Sequence, residues 1–196
     1  MKKLLLLIPF MLMAKCDVVK VVTEDFDSVR VGEVPFGWVA SQTNKKSPAI
    51  WEVDKHKRLV ILRPRGYRSK ERNIFFTKDY YFRDGSVAAD VMPGPDGGVI
   101  FRARDRKDYY DVRIQQGQLI VEKVQDGKIE ELGRFKIAKK DRYRLKVSYC
   151  GDKATIYLDG KEVGRIDIEP MEGGVGVCAS GQSKAVFDNI RIEVAR

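Results

Sequence analysis

Six polar side chains between Arg102 and Gln115 are spaced to share one face of a pair of strands: Arg102, Arg104, Tyr109, Asp111, Arg113 and Gln115. Guanidinium, carboxylate, carboxamide and phenol groups on one surface offer planar hydrogen-bonding partners beside an aromatic ring, which suits a flat polar ligand such as a sugar. A solvated sheet face without a ligand would carry the same pattern. Catalytic alternatives are thinly represented. Retaining hydrolysis of a glycosidic bond needs two carboxyl groups about 5 Å apart. The nearest local match, Glu52-Val53-Asp54-Lys55-His56, places Glu52 and Asp54 on one strand face but has His56 where a further carboxylate is needed. It reads as a solvated strand edge after a packed Trp51. Glu130 and Glu131 are adjacent, so they point to opposite faces of a strand. His56 is the only histidine and stands between Lys55 and Lys57, which argues against a His/Cys zinc site and a Ser-His triad. No catalytic residue is assigned.

Aromatic rings are the other means of holding a sugar, and Trp38, Trp51, Tyr67, Tyr80, Tyr81 and Tyr109 are the candidates. Trp38 and Trp51 lie in Gly-Trp-Val and Ile-Trp-Glu-Val contexts that predict core positions. Tyr80 and Tyr81 should face opposite ways. The segment from Arg63 to Arg72 crowds Arg65, Arg68 and Lys70 around Tyr67 and is expected to be a solvated basic loop. Cys150 and Cys178 both fall outside the apolar alternation. They are a candidate disulfide pair, with two separate thiols as the alternative.

The elements that must position these residues are short strands. In Gly97–Gln115, Val99, Phe101 and Ala103 alternate with Ile100, Arg102 and Arg104, and Tyr110, Val112 and Ile114 alternate with the polar set. Such period-two alternation predicts two strands, each with one face on a core. The all-charged Asp105–Asp108 joins them. Similar runs recur about every 8–12 residues, separated by Pro- and Gly-bearing turns, the all-β pattern. Asp126-Gly127 is a strong two-residue hairpin signal. About fourteen strands are expected, with no helix, repeat or linker.

The chain has 196 residues, 43% hydrophobic and 33% charged, enough for one sandwich domain with a sizeable core. Its formal charge is +9, and leaving out Lys2, Lys3 and Lys15 lowers the 37 basic residues to 34 against 28 acidic ones, or +6. That excess is dispersed and reads as a solvated surface. No nucleic-acid motif accompanies it, so nucleic acid is not an expected partner. Residues 1–16, with a basic start and an apolar run from Leu4 to Ala14, have the layout of a signal peptide and are too short for a membrane span. Cys16 is a candidate lipidation site of the lipoprotein type, although Lys15 departs from the small residues usual before such a cysteine. The expected domains are a leader at 1–16 and one β-sandwich at 17–196, located outside the cytoplasm: periplasmic, secreted or membrane-anchored.

Three stretches carry a family resemblance. Asp141 to Ile166 (DRYRLKVSYCGDKATIYLDGKEVGRI) resembles the strand–turn–strand unit of laminin-G-like and concanavalin A-like jelly rolls. GGVGVCASGQSKAVFDNIRIEV resembles their closing strand pair, and GGVIFRARDRKDYYDVRI resembles a segment of bacterial secreted 3-keto-disaccharide hydrolase and family-16-like glycoside hydrolase domains. Asp25-Phe26-Asp27 and Phe36-Gly37-Trp38 are similar to the family's opening. The likeness runs from Glu24 to Glu193 and implies an all-β, two-sheet antiparallel jelly-roll sandwich. It implies a structural calcium where first and last strands meet, with Asp25, Asp27 and Asp188 as candidate ligands. The family-16 hydrolytic motif, Glu-x-Asp-x-x-Glu, is absent. The expected function is therefore non-catalytic binding of a carbohydrate or envelope glycan. A 3-keto-disaccharide hydrolase-like enzyme and a protein-interaction module of the envelope are the alternatives.

Overall fold

The computed structural model describes residues 16–44, 47–66, 71–94 and 96–196. The leader up to Lys15, and with it Tyr67, Arg68 and Lys70, lies outside the described residues. Among the described residues, fifteen strands build two antiparallel sheets. The seven-stranded sheet runs β10(Lys128–Lys136), β9(Gln118–Gln125), β8(Tyr109–Gln115), β7(Gly97–Ala103), β14(Gly174–Ser180), β5(Arg72–Thr77), β2(Trp38–Gln42). The eight-stranded sheet runs β13(Lys161–Asp167), β12(Lys153–Leu158), β11(Tyr143–Cys150), β6(Asp84–Met92), β15(Val186–Ala195), β4(Leu59–Arg63), β3(Ile50–Val53). β1(Val18–Glu24) also pairs with β15. The two sheets form the expected jelly-roll sandwich.

The core lies between the sheets and is filled by the apolar half of each alternation. Val99, Phe101, Tyr110, Val112 and Ile114 meet Tyr143, Leu145, Val147 and Tyr149 from the opposite sheet. Trp51 is a core residue and stacks on Phe75 at 5.2 Å between ring centroids, while the partly buried Trp38 packs against the core and stacks on the same ring at 5.3 Å. A second, smaller apolar cluster of Ile74, Phe76, Ile100, Ala103, Tyr109, Val124 and Cys178 occupies the outer face of the seven-stranded sheet.

Ala103 belongs to that outer cluster because of a bulge. Arg102 has φ of 50°, and the pairing with β14 slips between Gly176↔Ile100 and Gly174↔Ala103. The extra residue reverses which face the following side chain occupies. Arg102 consequently turns away from the outer face. Fully buried, it donates to the carbonyls of Arg83, Glu169 and Gly151 and lies 5.2 Å from the Tyr149 ring centroid. Its place in the expected polar face is corrected: Arg102 ties β7 to the β11–β12 turn.

The cysteine expectation is corrected as well. Cys150 ends β11 in the eight-stranded sheet, whereas Cys178 is buried on the outer face of the other sheet, so the sandwich separates them. Cys150 instead pairs with Cys16, their Cα atoms 6.0 Å apart. A sulfur bonded to Cys150 carries no thioether, so this pairing also displaces lipidation of Cys16.

Candidate functional site

Strand register sets the outer face of the seven-stranded sheet. Asp111 on β8 stands opposite Glu122 on β9, which stands opposite Glu131 on β10. One row along lie Arg113, Ile120 and Arg134, in register with Gly98 of β7. Arg72 reaches over from β5. Its Nη2 is 2.5 Å from Glu122 Oε2, and its Nε is 3.7 Å from Asp111 Oδ2. Arg113 donates through Nε to Asp111 Oδ1 at 3.0 Å, through Nη2 to Glu122 Oε2 at 2.8 Å, and through Nη1 to Asp96. Asp96 is fixed in turn by the Ser180 amide at 2.8 Å.

This cluster is buried, contrary to the expected wet face. Asp111 and Tyr109 are 0% exposed and Arg113 is 2% exposed. The physical reason is that neighbouring side chains lie over them: Arg72 covers Asp111, and Thr43 exchanges a 2.6 Å hydrogen bond with the Tyr109 hydroxyl. Buried charges persist only when paired, and two arginines interleave with three carboxylates here. Burial pushes the Asp111 carboxyl up to about 6; the Glu122 and Asp96 charges add to the push while Arg113 and Arg72 oppose it. Asp111 Oδ2 accepts no hydrogen bond.

Two depressions open on this face. The smaller, about 270 Å³, has Arg113, Glu122 and Arg72 at its base and Gln115, Glu131 and Arg134 around it. The larger, about 560 Å³, crosses β2, β5 and β7, with Val39, Phe76 and Ala103 as apolar lining and Tyr81 and the Arg104–Lys107 turn at its rim. Its depth has a sequence cause. Between Phe76 and Ile100, and opposite Ala103, β14 contributes only Gly176 and Gly174, so no side chain fills the trough. A Cβ at Gly176 would lie 2.1 Å from the Phe75 carbonyl oxygen.

Of the six expected ligand residues, Arg104 lines the larger cleft and Arg113 and Gln115 the smaller one. Asp111 and Tyr109 are sealed in the sheet, and Arg102 is elsewhere. Tyr81, 52% exposed, is the aromatic ring that reaches the cleft, while Tyr80 packs on the core, matching the expected opposite orientations. Sequence reading missed Arg72 and Glu122 as members of the cluster. Arg72 sat at the end of a basic stretch expected to be solvated, and Glu122 alternates within a strand like any surface residue.

Other candidates disperse. Asp54 closes its own turn by accepting from the His56 and Arg58 amides and the Arg58 guanidinium. Asp25 Oδ1 accepts from the Asp27 amide, and Asp188 Oδ1 accepts from the Asn189 amide. Among the described residues no group of three or more His, Cys, Asp or Glu, Asp25, Asp27 and Asp188 included, is arranged to hold a metal ion.

The class of fold this defines is an all-β, two-sheet antiparallel jelly roll. Within it, the chain is similar to the carbohydrate-binding module CBM66 from Bacillus subtilis, with a TM-score of 0.67 and 20% identity over 79% of this chain and 94% of that one. A Bacillus subtilis protein of unknown function with a galectin-like fold matches at a TM-score of 0.64 and 11% identity, covering 92% and 99%. Bacillus licheniformis β-glucanase matches at 0.62 and 8% identity, covering 92% and 100%. No family model and no curated protein matches the chain. At these identities the likeness establishes the fold.

Proposed function

We propose that this protein is an exported, non-catalytic carbohydrate-binding jelly roll whose ligand, a glycan such as one of the cell envelope, lies in the larger cleft. The observation that carries this reading is the combination, in one open trough, of the exposed Tyr81 ring, the apolar Phe76 and Val39 surface, and hydrogen-bonding groups from Ser41 and Arg104. Apolar surface with a few placed polar groups is how proteins hold sugars and other small polar ligands. The solved carbohydrate-binding module of the same fold supports it. The neighbouring carboxylates favour binding over hydrolysis: Asp111 is sealed, and Arg72 and Arg113 both hold Glu122, so neither is placed as an open acid or nucleophile. Export is supported by the leader layout of residues 1–15, which on this reading is cut before Cys16, and by the Cys16–Cys150 disulfide, which belongs in an oxidising compartment.

The test is a glycan array with the mature chain, followed by titration of each hit. Tyr81→Ala should weaken binding by about tenfold, the order expected for one stacking ring. A hydrolase-like alternative rests on the row Asp111, Glu122 and Glu131. Turnover of an oxidised disaccharide that disappears in Asp111→Asn would replace the binding-only reading with it. An array without hits, alongside an envelope protein recovered by cross-linking through this face, would favour an interaction module.

A further inference from the structure

We propose that the glycan taken by the larger cleft is anionic, bearing uronate carboxylates or sulfate esters, and that Lys78, Arg104 and Lys107 meet those groups. This rests on the cleft being a glycan site. Four cations line it, Lys78, Arg104, Arg106 and Lys107, against one carboxylate, Asp105. Asp105 is already used: its Oδ1 accepts from the Lys107 amide at 2.6 Å and the Asp108 amide at 3.1 Å, closing the turn that presents the cations. Arg106 is used too, donating to the Thr43 carbonyl at 2.9 Å and forming a fixed wall. Lys78, Arg104 and Lys107 are exposed, and among the described residues their side chains meet no carboxylate.

The outer face of the other sheet shows that such a state is not general here. A groove of about 400 Å³ there is lined by Arg144, Lys146 and Arg191, and every one of them has an acidic partner. Arg144 is 3.4 Å from Asp90, while Lys146 and Arg191 share Glu193 at 2.7 and 3.0 Å. Where the chain gathers cations without a site, it balances them. Around the Tyr81 cleft it leaves three unbalanced beside apolar surface, where their mutual repulsion is relieved by an anion and where the field draws anionic ligands in. The turn geometry suits this, since one tight charged turn and the Lys78 corner bracket the trough from two sides.

The experiment titrates the mature chain with polygalacturonate, dextran sulfate, neutral dextran and polyglutamate at about 50 and about 500 mM salt, the range over which exposed charge is screened. Expected is binding of polygalacturonate or dextran sulfate that weakens by about tenfold or more with salt, and by a similar factor in the triple variant Lys78→Ala/Arg104→Ala/Lys107→Ala. Which of the two binds tighter separates carboxylate from sulfate as the recognised group. Arg144→Ala/Lys146→Ala, on the opposite face, should leave the affinity unchanged. Tyr81→Ala should weaken both anionic glycans while leaving polyglutamate, which has no sugar ring, weak throughout. Neutral glycan binding that ignores salt and the triple variant would overturn the anionic proposal and leave the glycan site standing. Polyglutamate binding as tightly as polygalacturonate would overturn it in favour of a plain electrostatic patch. Absence of binding to any glycan, on this panel and on the array, would remove both readings.

Discussion

The two outer faces of this sandwich carry comparable numbers of charged side chains and use them in opposite ways. On the seven-stranded sheet, Arg72 and Arg113 are interleaved with Asp96, Asp111 and Glu122, all buried, with only the edge of the cluster reaching the smaller depression. On the eight-stranded sheet, Arg142, Arg144, Lys146 and Arg191 pair with Asp90 and Glu193 near the surface. The first arrangement is rigid because each group is held by several others, and breaking one leaves the rest uncompensated. In the second, each carboxylate is shared by two cations that keep an exposed flank, so losing one partner leaves it still paired. The difference teaches where a ligand site can be built. The interlocked cluster stiffens the sheet beside the larger cleft, and its charges are already paired, so under the proposed function recognition falls to Tyr81 with Lys78, Arg104 and Lys107.

The largest effect that would break this comparison is at Arg113. Arg113→Leu strands Asp96, Asp111 and Glu122 together, and urea denaturation should show a loss of about 3–5 kcal/mol. A loss below about 1 kcal/mol would mean that the cluster is no more interlocked than a surface pair. Next is the covalent tie of the eight-stranded sheet. Cys16 and Cys150 are 134 residues apart, so Cys150→Ser releases a long loop and should lower stability by about 2–4 kcal/mol. Thermal melts with and without reductant should show that loss in the parent and none in the variant.

The unequal legibility of the two faces has a physical origin. Alternation located the strands within a residue or two and chose the core side of β7 and β8 correctly at Val99, Phe101, Tyr110, Val112 and Ile114. It failed at β1, where Val18-Val19 and Val21-Val22 are doubled and the strand is mostly exposed on the edge of β15. It also failed at Arg102, because a bulge shifts the period and nothing in Phe-Arg-Ala announces a positive φ. Most of all, alternation says which side chains share a face but not what lies across it. Arg72 comes from a strand 39 residues before Asp111, and only the order β8-β7-β14-β5 brings its side chain over that carboxylate. The cleft was equally hidden, since it depends on Gly174 and Gly176 falling between Phe76 and Ala103 in register.

The faces should also answer pH with opposite signs. Asp111 has a folded value of about 6 against an ordinary 3.8, so between these the folded chain keeps a proton that the unfolded chain has lost. Its contribution to stability therefore falls as pH rises from about 4 to about 6. Glu193 is the reverse. Burial works against its charge, but hydrogen bonds from Lys146, Ser86 and Arg191 prevail and lower its carboxyl from 4.5 to about 2. Its contribution is present above about 4.5 and is lost as pH falls toward about 2. Urea midpoints across this range should lose their decline between about pH 4 and 6 in Asp111→Asn, and their acid-side rise in Glu193→Gln. If both variants flattened the same limb, the two faces would not be electrostatically distinct.

The smallest effect sharpens the comparison from the other side. Lys146 and Arg191 share one carboxylate, Glu193, so removing one cation leaves that carboxylate still paired and still accepting from Ser86. Lys146→Met keeps the aliphatic stem that packs along the sheet and should cost no more than about 1 kcal/mol at neutral pH. Because Glu193 would retain two of its three donors, the acid-side loss should shift to slightly higher pH without vanishing. A loss as large as that of Arg113→Leu would show the eight-stranded face to be as interlocked as its counterpart. The contrast between a charge held by redundancy near water and a charge held by mutual dependence away from it would then fail.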